Sequence, residues 1–327
     1  MNRTIPREVV KIGHDIKSMK IRGAGRIARA AVRGLLIASQ ASRAVSADRF
    51  LNELNEVSMF LLKTRPTAVS LPNGLRYVLK RVSEAKEKGL GVDQLKSITA
   101  KTAFEFIKNS KDAVRKIGEI GAHRINDGDV ILTHCNSDTA LTILTTAWDY
   151  GKKFRVYVTE TRPRFQGLIS MKILGEKGIP VTLIIDSATR YFMNEVDKVI
   201  VGADAIAANG AVINKIGTSL IALAAKEART LFFVVAETYK FSPETVIGAL
   251  VKIEERDASE VIPLSQLRKY KNVKVKNPSF DVTPAEYIDL IITEKGIIPP
   301  SAAFTIIQQE FGPITHGIPS TYISIEE

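Results

Sequence analysis

From Asp129 onward the chain repeats one pattern, short runs rich in β-branched and aromatic residues separated by stretches with helical spacing. The runs are VILTH (130–134), RVYVTE (155–160), VTLIID (181–186), KVIVGAD (198–204), FFVVAE (232–237) and YIDLIITE (287–294). Each is apolar on both faces, so each needs cover above and below, which a parallel sheet flanked by helices supplies. Strand and helix alternating through short connections predict an α/β fold with a doubly wound, mostly parallel sheet. Such sheets bind ligands just beyond the carboxyl ends of their strands, so the residues that follow each run are the ones to inspect. Residues 252–278 are more polar and read as an excursion before the last strand.

Ahead of Asp129 the periodicity is different. Val9, Val10, Ile12, Ile16 and Met19, then Leu35 and Leu36, Leu75, Val78 and Leu79, and Phe104, Phe106 and Ile107 recur at helical spacing, with no convincing strand among them. The pattern predicts a helical N-terminal domain over residues 1–122 and an α/β domain over residues 123–327.

Composition narrows the function classes. With 45% hydrophobic residues in 327, the chain has the apolar content of a folded globular protein. No apolar run approaches the ~20 residues of a membrane helix, and the first residues lack the apolar core of a secretory signal, so a cytoplasmic protein without membrane contact is expected. The one cysteine, Cys135, has no partner for an intramolecular disulfide. His14, His123, His134 and His316 show no spacing suited to a structural zinc, so no metal is expected. The net charge of +11 concentrates early: residues 1–50 hold eleven Lys or Arg against three acids. Phe50 is the only ring in that segment, which argues against nucleic acid as a partner and for a small polyanion or a plain solvated surface.

The strand ends carry an unusual set of polar residues. Cys135, Asn136 and Ser137 follow the first run; Thr161, Arg162 and Arg164 the second; Asp186 and Ser187 the third; Asp204 the fourth; Glu237 and Lys240 the fifth. Ser137 suits the N-cap of a helix with the apolar stripe Ala140, Leu141, Leu144, Ala147 and Trp148. Cys135 then lies by a helix N-terminus, where the dipole favours thiolate; alternatively it is a small buried hydrophobe that ends a strand. Asp204 reads either as an N-cap or as a proton donor whose acidity is weakened at an apolar strand mouth. Asn214 and Lys215 precede a helix and place an ammonium beside free N–H groups, which is phosphate-binding chemistry; Lys215 and Lys240 also read as solvated surface lysines. IRGAGRIARAA (21–31) contains the dinucleotide-type spacing Gly23, Gly25, Ala28, but no apolar strand precedes it, so it reads as an anion-binding turn flanked by Arg22 and Arg26. TRPTAVSLPN (64–73) adds Arg65 in a proline-bounded loop.

Taken together, RGAGRIARAA, TRPTAVSLPN, LTHCNSDTA, VTETRPRFQG, VGADAIAANGAVINKIGTSLIALAAKE, AETYKF and DVTPAEYIDLIITEKGIIPPSA resemble the superfamily that joins sugar-phosphate aldose–ketose isomerases with the regulatory subunits of translation initiation factor 2B. Within it, the chain is most similar to the archaeal ribose-1,5-bisphosphate isomerases. The resemblance implies a helical N-terminal domain followed by a Rossmann-like catalytic domain, with Cys135 and Asp204 as the catalytic pair. It implies that Arg22, Gly23, Ala24, Gly25 and Arg65 hold one end of a sugar bisphosphate, and that Ser137, Asn214, Lys215 and Lys240 hold the rest. It further implies a homo-oligomer, a hexamer, with AMP as activator, no cofactor, and a product that feeds Rubisco in AMP degradation. Regulatory subunits typically lack the cysteine after LTH and the aspartate at position 204, both of which this chain keeps. A non-catalytic regulatory module and a methylthioribose-1-phosphate isomerase are the alternatives. The latter carry a glycine loop resembling RGAPAIG where this chain reads RGAGRIA.

Overall fold

The computed structural model describes residues 5–312; His316 and the end of the second expected domain lie outside them. Packing divides the chain into two compact units, one running to Asp112 and taking in Phe311 again, the other Ala113–Glu310.

Among the described residues the first unit is helical, as its periodicity predicts. It holds α1 (Arg7–Lys17), α2 (Ala24–Ala41), α3 (Ala47–Leu62), α4 (Ser70–Glu87) and the greater part of α5 (Val92–Ala122). Helix α2 is central and packs on α1, α3 and α4. Its stripe Ile27, Ala28, Ala31, Val32 and Leu35 is buried, the i, i+4, i+8 signature of one face turned inward. Phe104 departs from expectation, lying 60% exposed while Phe106 is buried.

The second unit alternates β1 (Val130–Thr133), α6 (Asp138–Asp149), β2 (Arg155–Thr159), α7 (Gly167–Glu176), β3 (Val181–Ile184), α8 (Thr189–Phe192) and β4 (Lys198–Gly202). It continues through β5 (Ala205–Ile206), β6 (Val212–Lys215), α9 (Thr218–Ala228), β7 (Leu231–Val235), α10 (Leu264–Leu267), β8 (Phe280–Thr283), β9 (Leu290–Thr293), β10 (Gly296–Ile298) and α11 (Ala303–Phe311). All six β-rich runs enter one sheet in the order β10-β9-β7-β4-β1-β2-β3. Every pairing in it is parallel except β9 with β10. Ile131, Val156, Val158, Ile200, Phe233, Val235 and Ile292 from its strands join Ala140, Leu141, Leu144 and Ala147 of α6 in one core.

Two features depart from the sequence reading. The run VTLIID becomes the edge strand β3, so its second face is uncovered and Leu183 and Ile185 stand 40% and 57% exposed. Strands β5, β6 and β8 form a separate antiparallel sheet, with Asn214 opposite Asp281 and Lys215 opposite Phe280. That register brings β8 beside the turn between β6 and α9.

Candidate active site

Strand order fixes where a site can form. From β1 the chain builds outward through β2 to β3, then returns to place β4 on the other side of β1. The reversal opens a crevice between the carboxyl ends of β1 and β4, the usual ligand position in such sheets. Cys135 follows β1 and Asp204 follows β4, so the two residues flank that crevice.

The turn after β1 is strained and held on both sides. Cys135 has φ +65°, in the left-handed region that costs a non-glycine residue about 1 kcal/mol or more. Its N–H donates to Thr161 Oγ1 at 2.9 Å and its carbonyl accepts from Ser170 Oγ at 2.7 Å. Ser137 then caps α6, its hydroxyl accepting from the Ala140 N–H at 3.3 Å, as the sequence predicts. Gly202 makes room for that cap, because a Cβ there would lie 2.4 Å from Ser137 Oγ.

The thiol does not behave as its place near a helix N-terminus suggests. Burial pushes Cys135 up to about 11. The Lys215 ammonium and the Asn136 N–H pull it down, while Asp204 and Asp186 push it further up. Desolvation outweighs the local dipole, so the free site holds a protonated sulfur at neutral pH. The same interactions show that Lys215, from β6, and Asp204, from the mouth of β4, act on Cys135 together.

His134, singled out in the sequence only as a histidine without ligand spacing, is buried beside that thiol. Its Nε2 lies 2.9 Å from the Ile216 carbonyl, which can only accept, so Nε2 carries the hydrogen. Nδ1 is therefore the acceptor, and the Thr159 hydroxyl donates to it at 2.6 Å. Burial lowers His134 to about 4, against the pull of the Ile216 carbonyl and Asp186, so the ring is neutral. Asp186 in turn accepts the N–H groups of Thr161 and Arg162 at 2.8 and 2.7 Å, fixing the turn after β2.

Asn214 and Lys215 lead into α9 as expected, but the N–H groups at its start are not free. Asp281 Oδ2 accepts from Gly217 N–H at 2.7 Å and Ser219 N–H at 3.1 Å. A carboxylate from β8 thus sits where the sequence reading places a phosphate. Burial raises Asp281 to about 6, although both N–H groups and Lys215 favour its charge. Asn214 is buried and donates through Nδ2 to Thr218 Oγ1 at 3.0 Å; Lys215 Nζ lies 4.8 Å from the centre of the Phe280 ring. Asp281 escapes sequence reasoning because only the long-range register of β6 and β8 brings it there.

Lys240 is no surface lysine. It lies buried after β7, 2.7 Å from Glu237 Oε2. Burial opposes ionisation of Glu237, yet the Lys240 ammonium, aided by hydrogen bonding, holds its carboxyl below the usual range. Glu237 Oε1 also accepts from Thr139 of α6 at 3.2 Å and from the Tyr239 hydroxyl at 3.1 Å.

The remaining site residues expected from the sequence belong to the first unit. Arg22 and Gly23 are exposed and Ala24 opens α2, whose N-cap Gly23 has φ +87°. Gly25, half-buried, follows in the first turn of that helix. The Arg65 loop is brought to this turn: Arg65 NH1 approaches Met19 Sδ at 2.9 Å, and Ser70 Oγ donates to the Ala24 carbonyl at 2.8 Å. Helix α1, not a strand, precedes the glycines, so the structural setting of a dinucleotide fingerprint is absent among the described residues.

Comparison with known proteins agrees with this architecture. A ribose 1,5-bisphosphate isomerase of Thermococcus kodakarensis is 53% identical over 94% of this chain and 96% of its own. The protein of the same name from Pyrococcus furiosus is 54% identical over 95% and 97%. Among solved structures, a translation initiation factor eIF-2B from Pyrococcus horikoshii superposes with a TM-score of 0.75 at 32% identity, over 90% of this chain and 98% of that one. The sequence profile of the initiation factor 2 subunit family matches residues 20–300, and the chain belongs to that family.

Proposed function

We propose that the chain is an aldose–ketose isomerase that converts ribose-1,5-bisphosphate to ribulose-1,5-bisphosphate. The observation that carries this reading is the position of Cys135 and Asp204 on either side of the β1/β4 crevice, with Lys215 acting on the same sulfur. The names of its relatives at 53% and 54% identity support the substrate.

A sugar phosphorylated on its anomeric carbon cannot open to a free aldehyde without losing that phosphate, so ring opening has to be coupled to loss of the carbon-2 proton. Asp204, protonated, gives its proton to the ring oxygen while the Cys135 thiolate takes the proton from carbon 2. The electron pair of that C–H bond forms the carbon 1–carbon 2 double bond of a cis-phosphoenolate, and the bond from carbon 1 to the ring oxygen breaks. The Cys135 thiol then returns its proton to carbon 1 while the carbon-2 hydroxyl gives its proton to the Asp204 carboxylate, which leaves the carbon-2 ketone and restores both groups. Because the resting thiol is protonated, one proton passed from Sγ to the Asp204 carboxylate arms base and acid together with no change in net charge. Every step uses groups of the chain alone, with no cofactor and no metal.

Ser137, Asn214, Lys215 and Lys240 are the proposed polar contacts of the sugar bisphosphate in the second unit, and Arg22, Gly23, Ala24, Gly25 and Arg65 those in the first. The family resemblance extends the proposal to a cytoplasmic hexamer, activated by AMP, whose product is carboxylated by Rubisco in AMP degradation. No helix among the described residues is long and apolar enough to cross a membrane.

The test is conversion of ribose-1,5-bisphosphate to a product that Rubisco carboxylates, with and without AMP. Cys135→Ser and Asp204→Asn should each lower turnover by at least ~10²-fold. Unchanged turnover in both variants defeats the mechanism. Inactivity on this substrate with turnover of methylthioribose-1-phosphate moves the assignment to that isomerase, and inactivity on both with tight binding of an initiation factor moves it to a regulatory subunit.

A further inference from the structure

Three turns meet at the His134 ring. Its own turn carries Cys135 as the next residue. The second is the end of β2, where Thr159 donates to Nδ1 at 2.6 Å and Thr161 accepts the Cys135 N–H at 2.9 Å. The third is the turn from β6 to α9, where Nε2–H donates to the Ile216 carbonyl at 2.9 Å, one residue after Lys215. Gly217 closes the same side, with φ +102° and a Cα so near that a Cβ would stand 3.2 Å from Cε1 and 3.3 Å from Nε2.

We propose that His134 is a positioning residue for the reaction, its imidazole holding the turn of Lys215 against the turn of Cys135 so that ammonium and sulfur keep the separation that proton removal requires. The inference rests on the reading of Cys135 as the base. The ring itself neither donates nor accepts a proton in the chemistry, since both nitrogens are committed to Thr159 and Ile216 and the group stays neutral. Around the sulfur the charged groups are Lys215 from β6, Asp204 after β4 and Asp186 after β3; of these, only Lys215 stabilises the thiolate. Loosening the Ile216 link therefore removes the one favourable charge and leaves the two unfavourable ones.

Two substitutions separate the halves of the link. In His134→Gln the side-chain N–H occupies the place of Nε2–H and can reach the Ile216 carbonyl. In His134→Asn the amide oxygen replaces Nδ1 toward Thr159 and the Ile216 link is lost. Cys135 is the only thiol of the chain, so its alkylation by iodoacetamide between pH 7 and 11 reads the thiolate without interference. The Asn variant should alkylate about tenfold more slowly at a given pH, one unit of thiol acidity, and lose kcat in parallel. The Gln variant should track the unsubstituted chain in both. Gly217→Ala, which presses the ring through Cε1, should shift alkylation in the same direction as Asn, and melting temperatures identify any variant that fails to fold. Alkylation curves of the Asn variant and the unsubstituted chain that coincide, or equal impairment of Gln and Asn, overturn the proposal. A chain with no isomerase turnover in any form would count against the proposed reaction, and the alkylation comparison would still decide the role of His134.

Discussion

Asp281 reaches across from β8 to hold the Gly217 N–H at 2.7 Å, so the start of α9 is neutralised from inside the protein. The arrangement has a signature in stability. Asp281 is raised from 3.8 to about 6, so between those values the folded chain binds a proton that the unfolded chain has released, and stability falls as pH rises through the window. His134 is lowered from 6.5 to about 4, so there the unfolded chain binds the extra proton and stability falls as pH drops. Each contribution is on the order of 3 kcal/mol at its far end, and the two oppose each other across the same range. Asp281→Asn should therefore make unfolding more acid-sensitive than in the unsubstituted chain, and His134→Gln less so. Urea denaturation at pH 4 to 7 measures both, and parallel pH trends in all three proteins would contradict the assignment.

The proposed transfer of a proton from Cys135 to Asp204 makes a kinetic prediction. With the thiol near 11, a reaction that needs the thiolate without a proton gained by Asp204 finds about one reactive site in 10⁴ at pH 7, and kcat/KM then climbs tenfold per pH unit. Internal transfer from Sγ to the Asp204 carboxylate conserves the proton count and gives a plateau instead. A flat kcat/KM from pH 7 to 9 is expected; a unit slope over that range would show that the reactive form carries one proton fewer than the resting site and would contradict the pairing of the two groups.

Close packing at the crevice can be tested by a double-mutant cycle. Gly202→Ala puts a methyl 2.4 Å from Ser137 Oγ and should cost ~1–3 kcal/mol. Ser137→Gly removes the cap on Ala140 at a cost of roughly a few tenths of a kcal/mol. Gly202→Ala combined with Ser137→Gly should be better tolerated than the sum of its parts, since the second change vacates the space that the first one fills. Strict additivity in chemical denaturation would show that the two positions do not touch.

Glu237→Gln leaves the Lys240 ammonium buried without its counter-charge, a loss of about 3–5 kcal/mol. An anion drawn to Lys240 should restore much of it. Melting curves with and without inorganic phosphate are therefore expected to separate more for this variant than for the unsubstituted chain. Equal shifts in the two proteins would place the phosphate elsewhere.

Much of the fold is written locally in the sequence. Six runs apolar on both faces become six strands of one sheet, and Ser137 and Gly202 play the local parts their residue types suit. What escapes local reading depends on distant segments. Strands β5, β6 and β8 are two to four residues long, and β8 meets β6 only after 64 intervening residues. Without that pairing the start of α9 looks open to phosphate, and with it Asp281 is already there. VTLIID has the composition of a covered strand and lies at the edge, because order in a sheet is a property of the whole topology. Local sequence leaves two readings of Cys135 open, a thiolate by a helix N-terminus or a small buried hydrophobe, for a related reason. The helix dipole can be inferred from neighbouring residues, whereas the desolvation that overrides it comes from every element packed around the turn.

A chain with a single sulfhydryl has no resolving cysteine of its own, so a sulfenic acid at position 135 cannot close an intramolecular disulfide. Oxidants attack thiolates far faster than thiols. Keeping the sulfur protonated until a substrate arrives thus preserves the molecule between turnovers, and the enclosure that makes Cys135 a sluggish base at rest also makes it a durable one.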